Sequence, residues 1–254
     1  MNAHIAQVPD LLTWNSQMPS DSASRSTSAR GIRIDATGHI AAPPPMHEAL
    51  VYSEEEAEKL ISNLESGIGD VGLVSDSAGA LLHEVLSVIL LRNSGDPGSL
   101  SSSSWPSRPG VIGIVNSRRP GMNRFWIMDS LVHESIHSLL YGIEKSESFY
   151  LATHAPRGFK ARSPWTGRDL FLHSYLHACF VWFGLWSFWR RARLRRCFVE
   201  LEFGFFEKRA HKGFAPHLLS ALGEGEALIR SDVRKAVSAL EVMACESSAA
   251  VQIQ

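Results

Sequence analysis

The longest stretch without a formal charge runs from Leu170 to Trp189, and five arginines follow it between positions 190 and 196. Twenty uncharged residues with a basic flank are also typical of a transmembrane helix that ends in the cytoplasm. Five polar side chains interrupt this stretch, however, and they favour a central helix in a globular core with its arginine-rich end in solvent. They are His173, Ser174, Tyr175, His177 and Ser187. We therefore expect a core helix and no membrane partner.

A second constraint is the pattern H-E-x-x-H at His133, Glu134 and His137. Residues four apart share one face of a helix, so two imidazoles spaced in this way can bind one divalent metal ion. The surrounding apolar residues recur at helical spacing and predict a partly buried helix. They are Ile127, Leu131, Val132, Ile136, Leu139 and Leu140. The alternative is two histidines that are solvated or satisfied by core hydrogen bonds.

Composition indicates one enzyme-sized domain. The 254 residues are 44% hydrophobic, which is enough for a substantial core. A net charge of -1 argues against nucleic acid as a partner. Three widely spaced cysteines form no zinc pattern or disulfide framework, and the N-terminus has no secretory signal, so we expect a cytoplasmic protein. The Ser/Ala/Pro-rich residues 1–45 predict a flexible N-terminal segment, followed by a single catalytic metal-binding domain at 46–254.

Local patterns predict an α+β fold, mainly helical and zincin-like, with a small sheet beside the HExxH helix. Ser53 and the three glutamates after it predict a helix start, and a second helix is expected from about Asp76 to Leu91. We expect a loop over residues 93–109 and a strand over residues 110–115, with another strand over residues 148–153.

The third metal ligand is open from the pattern alone. His173 and His177 are four apart on the predicted core helix, and either could face the first pair. A zinc peptidase would instead take a carboxylate from a downstream helix. The carboxylates available for that role are Glu200, Glu202 and Glu207, while Glu144 and Glu147 look too near the motif helix. A metzincin signature is excluded, because no histidine follows the motif before His154.

Residues 110–191 resemble the HExxH-motif domain family found beside modified-peptide biosynthesis genes, some members of which are iron- and 2-oxoglutarate-dependent peptide β-hydroxylases. The matching parts are the strand at 111–115, the segment at 131–138, the tripeptide at 163–165 and the helix that ends at Arg190. The family has a histidine twelve residues after the tryptophan, and counting from Trp165 leads to His177 and not to His173. The resemblance therefore implies His133, His137 and His177 as metal ligands, with Glu134 beside the metal.

Three imidazoles on an octahedral Fe(II) would leave three positions, which two donor atoms of 2-oxoglutarate and one O2 can occupy. The far carboxylate of 2-oxoglutarate then needs a cation, for which a guanidinium is best suited. Arg168 is the first candidate because it stands nearest to the position where the family often has an arginine and this chain has Thr166. Arg157, Arg162 and Arg230 are the further candidates.

We expect hydroxylation, or a related C–H oxidation, of a peptide or amino-acid-derived natural-product substrate, with Fe(II), 2-oxoglutarate and O2. The alternative is a zinc metalloprotease, in which Glu134 would take a proton from the metal-bound water. In either enzyme the strand at 111–115 could bind an extended peptide at its edge. A second alternative is a non-catalytic partner protein with a vestigial site, which would use the aromatic residues 180–189 for docking.

Overall fold

The computed structural model describes residues 28–29, 31–44, 46, 49–94, 101–117, 123–150, 159–214 and 218–249. Within these ranges the chain forms an α+β fold in which one small sheet packs against several helices. The predicted α+β class is therefore confirmed, and its zincin-like character stays a prediction.

The main sheet has five strands in the order β1-β2-β3-β5-β4. β2, β3 and β5 are parallel, while β1 and β4 are antiparallel to their single neighbours at the two edges. All five residues of β3 are buried, as expected for a parallel strand covered on both faces. The strands are β1 (Ser28–Ala29), β2 (Ile32–Asp35), β3 (Val88–Arg92), β4 (Ser101–Trp105) and β5 (Arg108–Val115).

Six α-helices and a second, two-stranded sheet complete the described fold. The helices are α1 (Glu54–Val74), α2 (Asp76–Val85), α3 (Arg124–Ser146), α4 (Leu172–Leu194), α5 (Glu200–His211) and α6 (Ser231–Ala249). The small sheet pairs β6 (Lys160–Arg162) with β7 (Asp169–Phe171), and a 3-10 segment spans Ser220–Leu228. Ser53 begins α1 with a capping box to Glu56, as its sequence predicted.

α4 is the central helix of the core. Tyr175, Leu185 and Trp189 lie along it and are fully buried. Their burial confirms that the uncharged stretch forms a core helix. Among the residues that the structure describes, no helix is long and apolar enough to cross a membrane.

Two local predictions were wrong. The helix expected from Asp76 to Leu91 ends at Val85, and β3 begins at Val88, because this apolar run pairs with β2 and β5. The loop expected over residues 93–109 contains β4, whose serines pair with β5. Of the strand expected over 148–153, Tyr150 makes an isolated bridge to Ile229, and residues 151–153 lie outside the described part.

The folded unit begins inside the segment that was expected to be flexible. β2 pairs with β3, and the buried carboxylate of Asp35 binds Arg92 of β3 at 2.6 Å. Backbone N–H groups of residues 38–40 also donate to Asp35, which fixes the chain that follows β2. Part of this segment thus belongs to the sheet, while residues 1–27 lie outside the description.

Candidate metal centre

α3 presents the HExxH residues from a well-formed helix. The Asn123 side chain caps its first turn by accepting from the backbone N–H groups of Phe125 and Trp126. His133 and His137 follow in the middle of the helix, where their ring centroids are 5.0 Å apart. His133 is 27% exposed, so one imidazole of the pair can be reached from solvent.

α4 places His177 against His137, the second histidine of the motif. The Nδ1 atoms of His137 and His177 are 3.1 Å apart, and the His177 side chain is almost fully buried. Two imidazole nitrogens bound to one ion at about 2.1 Å lie about 3.0 Å apart at a right angle and about 3.4 Å apart at the tetrahedral angle. The observed separation falls between these values. The contact is an N–H···N hydrogen bond between the two imidazoles, and its length is also compatible with two ligands of one metal ion.

Gly184 of α4 lies against the Ile136 side chain of α3. A Cβ on Gly184 would lie 2.3 Å from Cδ1 of Ile136, the residue before His137. A larger residue at position 184 would therefore displace the Ile136 side chain.

Glu144 is a site residue that the sequence interpretation set aside. Its Oε2 lies 2.9 Å from His177 Nε2 and 2.7 Å from His173 Nε2. Glu144, His173 and His177 form the candidate metal-binding group of the described residues, with ligand atoms within 4.8 Å of one another. Glu144 follows His137 by seven residues, or two helical turns, and this spacing could have placed it on the same face.

Burial favours the neutral form of His137 and His177. Burial, and then the neighbouring His133 and His177, lower the pKa of His137 to about 2. Burial also lowers the pKa of His177, although the hydrogen bond with Glu144 opposes this shift. Burial raises the pKa of Glu144, but hydrogen bonds from His173 and His177 outweigh it and bring the value to about 2. Neutral imidazoles beside an ionised carboxylate are what metal coordination requires.

Glu134 points to the edge strand. The hydroxyl groups of Ser102 and Ser104 on β4 donate to its two carboxylate oxygens at 2.6 and 2.7 Å. Ser104 is also a hydrogen-bond partner of Tyr141, whose pKa is raised by burial and then by Glu134. The Tyr141 ring stacks on His137, with centroids 5.9 Å apart. Tyr141 thus joins the site, although the sequence analysis did not select it.

The tripeptide that ends at Trp165 supports the site from outside. Trp165 is buried, donates from Nε1 to the Ala210 carbonyl and stacks on Trp182. The Trp182 ring in turn meets His133 edge-on, with centroids 6.1 Å apart. The role of Trp165 in the described structure is therefore to position other residues.

The arginines proposed for the cosubstrate lie in different settings. Arg168 is exposed in the turn between β6 and β7, and Arg162 is exposed on β6. Arg230 pairs with Glu147 and Asp232. Arg157 lies outside the described residues.

The structure describes two of the three carboxylates that were considered for a peptidase site. Glu202 is exposed on α5, and Glu207 binds Arg193 at 3.0 Å. The side chain of Glu200 lies outside the description. Among the described contacts, neither Glu202 nor Glu207 meets a histidine of the motif, whereas His177 meets His137.

Comparison with known proteins adds no identity to this geometry. No protein-family model matches the chain, and no curated protein matches it either.

Proposed function

We propose that this chain is an Fe(II)- and 2-oxoglutarate-dependent hydroxylase of a peptide or amino-acid-derived substrate, with His133, His137 and His177 as the metal ligands. The observation that carries the proposal is the 3.1 Å separation between the Nδ1 atoms of His137 and His177. A third imidazole at this position is the feature that separates the hydroxylase from a peptidase, which would use a downstream glutamate.

Glu144 supports this ligand set through its hydrogen bond with His177. His177 directs Nδ1 toward His137, and its other nitrogen, Nε2, toward Glu144. A ligating imidazole commonly donates its second N–H to a carboxylate, which fixes the ring and its tautomer. We therefore assign Glu144 as the positioning residue of His177. His173, which is 36% exposed and also bound to Glu144, completes the support of that carboxylate.

Three imidazole ligands would suit this assignment chemically. His133, His137 and His177 would hold Fe(II) and would leave room on the ion for the cosubstrate. Bound Fe(II), with 2-oxoglutarate and O2, would supply an oxidant that takes hydrogen from an unactivated C–H bond. The surrounding residues would hold the ligands and the substrate in place.

The setting of Glu134 does not by itself separate oxidation from hydrolysis. In a zinc peptidase this glutamate would take a proton from the metal-bound water. Here each of its oxygens already accepts a short hydrogen bond from a serine of β4. Each oxygen keeps a second lone pair that a water molecule could use, so the discriminating feature is the third metal ligand.

The main sheet has an edge strand to which a peptide substrate could pair. The strand expected to offer an edge, Val111–Val115, lies inside β5 and is paired on both sides, so that prediction was wrong. β4 is the edge strand instead, and in the described residues it pairs with β5 alone. An extended peptide could add to its outer edge by backbone hydrogen bonds. Ser102 and Ser104 would connect that peptide to Glu134.

Anaerobic titration of the Fe(II)-loaded protein with 2-oxoglutarate tests the proposal. We expect the visible charge-transfer band of a chelated complex in the unchanged protein and its loss in His177→Ala. The matched control is Glu202→Gln on α5, which should keep the band. Absence of the band in the unchanged protein, together with zinc retained through purification, would contradict the proposal and favour hydrolysis.

A further inference from the structure

A groove of about 630 Å³ lies between α1 and α2. The two helices meet closely at its base, since a Cβ on Gly79 of α2 would lie 3.0 Å from the Gly72 Cα of α1. Leu73 contributes apolar surface to the lining, and Glu65 and Asp76 contribute two carboxylates. The other lining residues are Ile68, Gly69, Ala80 and His83. The groove therefore suits an apolar stem that carries a positive charge at its end.

α4 ends beside this groove with exposed arginines. Arg195 Nη1 donates to the Leu73 carbonyl at 3.3 Å, and its guanidinium lies 3.8 Å from the Asp76 carboxylate. Arg191 lies one turn earlier on the same face of α4, and Arg196 follows the end of the helix. Both are exposed, and neither makes an ion pair with the residues that the structure describes. The surface thus changes from negative at the groove to positive at the end of α4.

Three exposed apolar side chains lie near the place where the two charged regions meet. Leu73 is 67% exposed, Leu194 is 69% exposed and Val199 is 66% exposed. Leu73 lines the groove, and Leu194 directly precedes the arginine that binds the Leu73 carbonyl. The Cys197 sulfur lies 3.9 Å from the same carbonyl, which brings the segment of Val199 close to Leu73. Large apolar side chains that are exposed together mark a site of protein contact.

The groove, the three apolar side chains and the exposed arginines are together called the junction surface. We propose that the junction surface binds a second copy of this chain through a two-fold axis beside Leu73. In such a contact each patch of one copy meets the complementary patch of the other, so every groove receives Arg191 and Arg196 of the other copy. The arginine stems would cover the apolar wall, while their guanidinium groups pair with the two carboxylates.

The charges of the junction surface favour a second copy over other occupants. A nucleic acid or an anionic membrane would bring negative charge against the acids of the groove, and a basic peptide would bring positive charge against the arginines. A surface that carries the same two patches satisfies both of them at once. The residues of the junction surface are separate from the metal centre, so this inference goes beyond the proposed function and does not depend on it.

Charge reversal in two variants tests the pairing. The groove variant is Glu65→Lys/Asp76→Lys, and the arginine variant is Arg191→Glu/Arg196→Glu. Each variant places like charges against each other in both halves of its own dimer, so we expect the dissociation constant to rise at least about 100-fold. An equal mixture of the two variants restores opposite charges in both halves and should form a dimer. Far-ultraviolet circular dichroism and a thermal melt check that both variants fold.

Sedimentation velocity over about 1–100 μM protein measures the association, and native mass spectrometry identifies the mixed dimer. We expect the mass of the unchanged protein to approach twice the 28.0 kDa of one chain as its concentration rises. The matched control is Glu55→Lys/Glu84→Lys, which reverses two exposed acids of the same helices outside the groove lining. It should dimerise like the unchanged protein.

Three results would overturn the proposal. An unchanged protein that stays monomeric over the whole concentration range would show that the junction surface does not join two copies. A dimer that persists in both variants would place the contact on another surface. Folded variants whose mixture stays monomeric would refute the pairing of the groove with the arginines.

Discussion

Two histidines of α4 that look alike in the sequence have different neighbours in the structure. His173 and His177 are one turn apart, and both bind Glu144. His177 is almost fully buried and also meets His137, whereas His173 is 36% exposed. The helical spacing predicted that one of them could join the motif pair. Which one does so depends on how α4 is rotated against α3, and spacing within one helix does not contain that information.

Alanine variants of the four histidines distinguish the two ligand sets. We expect His133→Ala, His137→Ala and His177→Ala each to lose bound metal, and His173→Ala to keep it. Metal content is measured by inductively coupled plasma mass spectrometry after anaerobic Fe(II) loading and desalting. Loss of metal in His173→Ala with retention in His133→Ala would place the ion at the group formed by Glu144, His173 and His177 instead.

Glu144→Gln tests the positioning of His177. The amide cannot provide the negative charge that fixes the His177 ring, so we expect metal affinity to fall about 10- to 100-fold without loss of the fold. Affinity is measured by competition with a chromogenic chelator. Glu147→Gln is the matched control, because Glu147 follows at the end of the same helix and pairs with Arg230 at the surface. Equal affinities in the two variants would remove Glu144 from the site.

At the scale of elements, sequence patterns predicted the wrong secondary structure for two short segments, one apolar and one polar. Val88–Arg92 continues the apolar pattern of α2, and periodicity alone does not separate a buried strand from a buried helix. Ser101–Ser104 has weak intrinsic strand preference, yet it forms β4 by pairing with β5. The start of α1 at Ser53 and the presence of α3 were predicted, because a cap and helical periodicity are local signals.

The contact between Trp165 and the end of α5 gives a prediction at this scale. A Cβ on Gly213 would lie 2.4 Å from two atoms of the Trp165 indole, which is rigid and buried. We expect Gly213→Ala to destabilise the protein by about 1–3 kcal/mol through overpacking, as measured by urea unfolding. Gly69→Ala in the interior of α1 is the control, because no atom lies within 4 Å of its added methyl. That variant should gain up to about 1 kcal/mol.

At the scale of the whole molecule, one buried ion pair joins the N-terminal strands to the rest of the sheet. Arg92 of β3 binds the Asp35 carboxylate and also donates to the backbone carbonyls of Asp35 and Ile40. Both side chains are buried, so each compensates the charge of the other. This contact makes β2 and the segment after it part of the same folded unit as α3.

Removing one partner of this pair should therefore affect global stability. We expect Arg92→Met to lower the free energy of unfolding by about 3–5 kcal/mol, because it leaves a buried carboxylate unpaired. Arg108→Ala is the control, since Arg108 is exposed and donates to the Ala41 carbonyl at 3.2 Å. Its effect should stay within about 0.5 kcal/mol. Denaturant unfolding followed by tryptophan fluorescence measures both, and equal stabilities would contradict the anchoring role.

The sequence by itself determined the helix that carries His133, Glu134 and His137, the core helix that carries His177, and the mixed α+β class. Each depends on periodicity or spacing within one segment, and such local patterns can be read directly from the sequence. Only the tertiary structure decided that Glu144 supports His177 and that β4 holds Glu134. These contacts join residues 30 or more positions apart or on different helices, and packing of the whole core sets their distances.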